Sequence, residues 1–347
     1  MKNSLLVPLF LLQCCLLSAS SFAAASTISN EINDAIPAFK SKLSAKSLLT
    51  DIELVGDTMF AVGERGHIIY SSDGDIWLQA DVPVNVLLTA IKFVDSQVGF
   101  AIGHDQTLLK TENGGKAWEI VNYQPSSDKP FLNLDIQGQN IVIVGAYGLF
   151  WSSNDGGKTW DSTYKEALLL EEDRQYLQEI KEFEPEAYET EKQFLLPHFN
   201  GVTLAQHGWY LSGEGGFAAV SYNQGKNWER LETEYYGSYF SVQELAKSNI
   251  ILAGLRGNVF SLNIETGDFD NIDTPVSATI NSLLIKDETI YMFANSGNLF
   301  IYKNGVVTHK AFADGKAILS GTQWRDTLVM ATEAGIKSIS INKLPKQ

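Results

Sequence analysis

Four tryptophans, Trp77, Trp118, Trp160 and Trp228, each close a window of nearly the same text. The windows are Ser71-Ser72-Asp73-Gly74-Asp75-Ile76-Trp77, Thr111-Glu112-Asn113-Gly114-Gly115-Lys116-Ala117-Trp118, Ser153-Asn154-Asp155-Gly156-Gly157-Lys158-Thr159-Trp160 and Ser221-Tyr222-Asn223-Gln224-Gly225-Lys226-Asn227-Trp228. The tryptophans stand 41, 42 and 68 residues apart. A period near forty with one aromatic per unit restricts the chain to propeller blades or a solenoid. A second signature, an apolar run ending in a glycine turn, precedes each window: Gly63-Glu64-Arg65-Gly66, Gly103-His104-Asp105-Gln106, Gly145-Ala146-Tyr147-Gly148 and Gly213-Glu214-Gly215-Gly216. It continues after the tryptophan motif fades, at Gly254-Leu255-Arg256-Gly257, Ala294-Asn295-Ser296-Gly297 and Thr332-Glu333-Ala334-Gly335, so seven units are visible.

Within a unit the pattern is strand, short turn, strand, glycine turn, strand, Asp-Gly turn, strand, as in Leu87 to Asn122. Short β-rich segments at this spacing read as four-stranded antiparallel blades. No unit shows an apolar period of 3.6, which excludes helical solenoids. The expected fold is therefore all-β, a seven-bladed β-propeller. In the Asp-Gly turn the Asp or Asn oxygen accepts N–H groups of its own turn, and glycine supplies positive φ. The tryptophan then starts the outer strand and packs between neighbouring blades. An element repeated once per blade is structural. That role is expected for Asp73, Gly74 and Trp77, for Asn113, Gly115 and Trp118, for Asp155, Gly157 and Trp160, and for Asn223, Gly225 and Trp228.

Lys2, the apolar run Leu5 to Leu17 and the small residues ending at Ala23-Ala24-Ala25 read as a secretory signal peptide, residues 1–25. Leu11-Leu12-Gln13-Cys14 resembles a lipoprotein box, but Gln13 is bulky where a small residue is needed. Both cysteines, Cys14 and Cys15, leave with the signal, so the mature chain has no disulfide and no thiolate chemistry. No later stretch approaches the ~20 apolar residues of a membrane span. No Asn-x-Ser/Thr acceptor occurs after residue 25, which favours a bacterial periplasm over a eukaryotic secretory route. Residues 26–347 read as one propeller domain, expected to be a monomer. Twenty-six Lys and Arg against 41 Asp and Glu, with no basic run, exclude nucleic acid as a partner.

Ser-x-Asp-x-Gly-x-x-Trp, best kept at Ser153 to Trp160, is similar to the Asp-box, the bacterial neuraminidase repeat. Together with the Gly-x-x-Gly turns it resembles the photosystem II stability and assembly factor family, including its homologues in non-photosynthetic bacteria. The resemblance covers roughly residues 48 to 342. It implies a non-enzymatic chaperone of membrane-protein assembly whose binding face is rich in Arg. This sequence departs there: it has five Arg, and only Arg65 and Arg256 sit in the glycine turns. The resemblance to the bacterial homologues implies a periplasmic accessory of a membrane complex such as a resistance-nodulation-division exporter.

Blade topology puts the glycine turns on the same face as the crossovers between blades, and the Asp-Gly turns on the opposite face. Arg65, Tyr147 and Arg256 are thus candidate partner-binding residues. The 68-residue step inserts about 27 residues within 165–199, between blades three and four, on that same face. Glu166 to Glu184 reads as a helix with Leu170, Leu177, Ile180 and Phe183 on one stripe, and Tyr176 beside it. Lys165 to Lys192 holds ten acids and four bases. Long insertions in compact repeats are functional or disordered, so Tyr176, Leu177, Ile180 and Phe183 join the candidates. The last unit ends after its third strand, and Ala35 to Ala45 is expected to supply the missing fourth.

Enzymatic readings are weaker. A sialidase needs three Arg around a carboxylate, and the aligned turns offer two. The five His lack any paired spacing for zinc, and no phosphate or dinucleotide loop appears. The expectation is a binding protein with no catalytic residue, metal or cofactor; the alternative is a glycan-binding or glycan-cleaving propeller.

Overall fold

The structure, a computed structural model, describes residues 35–345; the expected signal peptide lies outside them. Seven antiparallel sheets follow one another along the chain. Their innermost strands are Leu49–Val55, Leu88–Phe93, Phe131–Gln137, Phe199–Leu204, Tyr239–Ala246, Ile280–Lys286 and Ile318–Trp324, one for each of blades one to seven. Blades one to six have four strands in sequential order, and blade seven has three. The chain is a seven-bladed β-propeller with a helical insertion between blades three and four.

Each innermost strand breaks register at its second residue: Thr50, Thr89, Leu132, Asn200, Phe240, Asn281 and Leu319 are bulged. A bulge bends the strand and turns the extra side chain out of the ladder. Where that side chain is a donor, it reaches the first residue of the next innermost strand. Thr50 Oγ1 donates to Leu88 O at 2.7 Å, Thr89 Oγ1 to Phe131 O at 2.9 Å, Asn200 Nδ2 to Tyr239 O at 2.9 Å and Asn281 Nδ2 to Ile318 O at 2.8 Å. Blade seven is tied back to blade one by Ser320 Oγ on Asp51 Oδ1 at 2.7 Å.

The core is divided accordingly into seven apolar clusters, one at each junction between blades. Trp77, Trp118, Trp160 and Trp228 each lie in such a junction. Their turns share one geometry. The Ser or Thr hydroxyl accepts the glycine N–H, 2.9 Å for Ser71 with Gly74 and for Ser153 with Gly157, and 3.0 Å for Thr111 with Gly115. Asp155 Oδ2 accepts the Thr159 hydroxyl at 2.7 Å and Oδ1 the Thr159 and Lys158 N–H groups at 3.0 Å, and these bonds, the hydroxyl first, hold its carboxyl well below the usual carboxylate range. The carboxylate sits at the surface, whereas the Ser153 hydroxyl bond beneath it is buried.

Two expectations are corrected. Ala35 to Ala45 forms no strand. It runs along blade one, with Ala38 N–H on Val82 O at 3.0 Å and Ser41 N–H on Gln79 Oε1 at 2.8 Å. The Ser44–Lys46 turn then lies so close to Gly335 that a Cβ there would stand 2.1 Å from Ala45 O. The third strand of blade seven, Gly335–Ser340, therefore has one strand partner. Ring closure rests on the cluster of Leu49, Ile52, Met59, Val329 and Ala331 rather than on a shared sheet. The insertion is also more broken than one helix: a 3₁₀ turn Glu166–Leu168, an α-helix Glu171–Phe183, a short helix Tyr188–Glu191 and a 3₁₀ turn Lys192–Phe194.

Gly157 and Gly138 both have positive φ, 78° and 62°. A Cβ on Gly157 would stand 2.2 Å from the Phe100 ring of the neighbouring blade, while a Cβ on Gly138 meets nothing within 4 Å. Both alanine variants bear left-handed strain of ~1–2 kcal/mol. Gly157→Ala should lose a further ~1–3 kcal/mol by overpacking the junction. Urea unfolding of the two variants measures the difference, and equal losses would refute close packing as the reason for the second glycine. Asp155→Ala should lower the melting temperature without changing partner capture by the folded protein. The Asp155 contribution is present above pH 3.8, the ordinary value, and is lost as pH falls through its lower native value.

Candidate functional site

Every glycine turn is anchored in the same way. The N–H of its second residue donates to the carbonyl just before the innermost strand of the same blade: Glu64 to Leu48 O (3.1 Å), His104 to Leu87 O (2.9 Å), Ala146 to Pro130 O (3.1 Å), Glu214 to His198 O (3.2 Å), Leu255 to Ser238 O (2.9 Å), Asn295 to Thr279 O (2.9 Å) and Glu333 to Ala317 O (3.0 Å). The glycine turns and the ends of the crossovers therefore share a face. The third turn residue is left-handed in six blades: Arg65 (φ 56°), Asp105 (57°), Tyr147 (53°), Gly215 (61°), Arg256 (60°) and Ser296 (57°). Bulky side chains rarely adopt this conformation. Arg65 and Arg256 are exposed and Tyr147 is half-buried.

The structure joins Tyr147 to the insertion. Its ring lies edge-on to Phe194 at 5.4 Å and to His198 at 4.5 Å, with Lys129 Nζ 5.6 Å from its centroid. Lys129 also donates to Gln193 O at 3.0 Å. Arg65 and Arg256 belong to blades one and five and take no part in this cluster. The insertion is seated by Leu168, Leu169, Leu177 and Leu196, all within the core between blades three and four. Leu177, 2% exposed, is thus covered by the propeller and unavailable to a partner, a correction to its expected role. Ile180 is half-buried, and Phe183 and Leu170 are 74% and 43% exposed, so the expected stripe is not the buried face. Tyr176 is exposed, its hydroxyl on Glu191 Oε2 at 3.0 Å.

Two cavities flank Tyr147 and His198. One, of about 470 Å³, is walled by His104, Asp105, Ser127, Asp128, Pro130 and Leu132; the other, of about 280 Å³, by Leu168–Leu170, Phe194–Pro197, Glu214 and Arg230. Burial pushes the Asp105 carboxyl above its ordinary value, opposed by His104. Arg230 is engaged, donating to Leu168 O at 3.0 Å with its guanidinium over Phe217.

The central channel holds a charged group that the repeat pattern does not reveal. Asp51 and Glu53 (blade one), Lys92 (blade two) and Asp135 (blade three) line a cavity of about 350 Å³. Their signal was present: charged residues two apart on an innermost strand face the same side. Asp51 Oδ2 accepts Ile91 N–H at 3.0 Å and Asp135 Oδ2 accepts Leu204 N–H at 2.7 Å, each across a blade junction. Burial pushes Glu53 up to about 8, partly offset by Lys92, and the surrounding carboxylates hold the Lys92 ammonium up. Glu53 and Asp135 keep some surface toward channel water but are ringed by protein, so desolvation dominates and raises both carboxyls, whereas at Lys92 the neighbouring carboxylates outweigh it.

Among the described residues no group of three or more His, Cys, Asp or Glu is arranged for a metal, and no helix is long and apolar enough to cross a membrane. The five Arg do not converge as a sialidase requires: besides Arg65 and Arg256, Arg174 pairs with Glu171 on the insertion, Arg230 is engaged, and Arg325 stacks on Trp324 between the first two strands of blade seven.

Fold and turns define a seven-bladed propeller resembling the photosystem II assembly factors. The signature described as Photosynthesis system II assembly factor YCF48 matches residues 69–174. Among curated relatives, the Photosystem II assembly lipoprotein Ycf48 of Synechococcus sp. (strain CC9902) is 26% identical over 127 residues, 35% of this chain and 38% of that protein. The chloroplastic Photosystem II stability/assembly factor HCF136 of Oryza sativa subsp. japonica is 29% identical over 93 residues, 24% of this chain and 22% of that protein. The alignments thus span less than two fifths of these relatives. YCF48 from Cyanidioschyzon merolae superposes with a TM-score of 0.63 at 14% identity, covering 88% of this chain and 99% of that one. A YCF48 bound to D1 peptide gives 0.62 at 13% identity, over 88% and 99% of the two chains. At these identities the structural likeness shows the fold.

The raised Glu53 value has a definite consequence. Its native pKa of about 8 lies above the ordinary 4.5, so the native state holds a proton that the unfolded chain has released. Stability should fall as pH rises from about 5 to 8 and level off above. Glu53→Gln should remove that slope and melt higher than wild type at pH 8. Parallel melting curves across pH 5–9 would refute the assignment.

Proposed function

We propose that this chain is a non-catalytic binding propeller that holds another protein through its crossover face, as an assembly or accessory factor of a membrane complex. The carrying observation is that this face bears the elaborations. The insertion exposes Leu170, Tyr176, Phe183 and Phe194, the crossover from blade four to five exposes Tyr236, and that from blade five to six exposes Val276. The opposite face exposes large apolar groups singly, at Ile76 and Tyr222 in the Asp-Gly turns, whereas the insertion gathers four, and such clusters mark interaction surfaces. The same face carries Arg65, Tyr147 and Arg256 on left-handed turns, a conformation that persists where the surrounding structure over-determines it.

In the finer reading, residues 1–25 export the chain, residues 26–347 act as one monomeric domain in the periplasm, and the partner belongs to a complex such as a resistance-nodulation-division exporter. The Asp-box turns serve the fold. A similar propeller is described as bound to a peptide, which supports peptide or segment capture.

Replacing the whole insertion would open the core between blades three and four, because Leu168, Leu169 and Leu177 belong to it. Exposed positions give a cleaner test. Leu170→Asp with Phe183→Asp, and separately Arg65→Glu with Arg256→Glu, should each weaken capture of the partner from solubilised membranes while melting as wild type. Unchanged capture by both variants would place the partner on another surface.

A further inference from the structure

The two cavities beside Tyr147 differ in character. The larger carries Asp105 and Asp128 with no Lys or Arg in its wall. Among the described residues the Asp105 carboxylate accepts no hydrogen bond; His104 is the one group that offsets its burial. Lys129, next to Asp128 in sequence, is taken up by Gln193 O and by the Tyr147 and Phe194 rings. A half-buried carboxylate short of counter-charge favours a cationic occupant. The smaller cavity has an apolar wall, Leu168–Leu170 and Phe194–Pro197, facing a polar one of Asp173, Glu214 and Arg230, and Arg230 is already engaged. The edge-on Tyr147 and His198 rings line both cavities and form the partition between them.

Side chains two apart on an extended chain project from one face about 6.6 Å from each other. That spacing lets one chain straddle a single aromatic partition. We propose that the paired cavities seat an extended basic segment of the partner protein, a cationic side chain entering beside Asp105 and Asp128 and an apolar one two residues away entering against Leu169 and Leu196. This rests on the crossover-face reading and adds the chemistry of the segment. The occupant's charge is opposite to the net −6 of Lys165–Lys192 beside it, which also steers its approach.

The test uses fluorescein-labelled dodecapeptides of Gly and Ser with a central Arg-Ser-Leu or Leu-Ser-Arg, against the same peptides with Glu in place of Arg. Binding to the mature chain is read by fluorescence anisotropy at physiological salt. At least one Arg peptide should bind at least tenfold tighter than its Glu counterpart. Asp105→Asn with Asp128→Asn should weaken it at least fivefold, asparagine being tolerated at the left-handed position. The control Glu265→Gln with Asp270→Asn removes the same charge from the exposed rim of blade five and should leave binding unchanged. Tyr147→Gly, which relieves the left-handed strain but removes the aromatic partition, should stay folded at the assay temperature and still weaken the peptide. Equal binding of Arg and Glu peptides, or equal losses in the site and control pairs, would overturn the proposal. If no peptide binds while the Leu170 and Phe183 variant still loses its membrane partner, the crossover-face reading stands and the basic segment falls.

Discussion

The ring depends on a bulge. At the second residue of every innermost strand one side chain leaves the ladder, and in four blades it donates to the first carbonyl of the next innermost strand. Leu132, Phe240 and Leu319 occupy the bulge in the other three blades and cannot donate. Those junctions rely on other means: Asp135 on Leu204 N–H between blades three and four, apolar packing between five and six, and Ser320 on Asp51 between seven and one. A net hydrogen bond is worth about 1 kcal/mol. The apolar clusters therefore carry most of the stability, and the bulge bonds help to fix the rotation between blades at the four junctions that have them.

That rotation determines the surface. Because each glycine turn is tethered to the start of its own innermost strand, the third turn residue is displayed at a fixed place on the crossover face. In six of the seven blades the backbone there is left-handed, with Arg, Asp, Tyr, Gly and Ser occupying equivalent positions. The scaffold thus carries variable chemistry on a constant backbone, an arrangement suited to recognition. The opposite face has less freedom. Its turns use their polar groups on themselves, and Gly115 and Gly157 press against Phe60 and Phe100 of the neighbouring blade.

Much of this was legible in the sequence because the forces are local. Turn chemistry needs Asp or Asn and glycine at set offsets, strands need alternation, and repetition multiplies each weak signal by the number of blades. Arg65, Tyr147 and Arg256 could be placed on one face by topology alone. What escaped was non-local. Glu53, Lys92 and Asp135 lie about forty residues apart and meet only when the ring closes. Leu177 and Phe183 look equivalent on a helical stripe, yet one fills the junction between blades three and four and the other faces solvent.

The sequence by itself determined the blade, its turns, the number of repeats and the place of the insertion, since all of these follow from interactions within some forty residues. Only the tertiary structure decided how the ring closes, with the segment before blade one lying along that blade instead of completing blade seven. It alone decided that Tyr147 meets Phe194 and His198 between two cavities, and that burial raises the pKa of a carboxyl in the channel. The physical reason is common to all three: packing between distant segments, and the exclusion of water that packing brings, depend on the closed ring and leave no periodic trace in the chain.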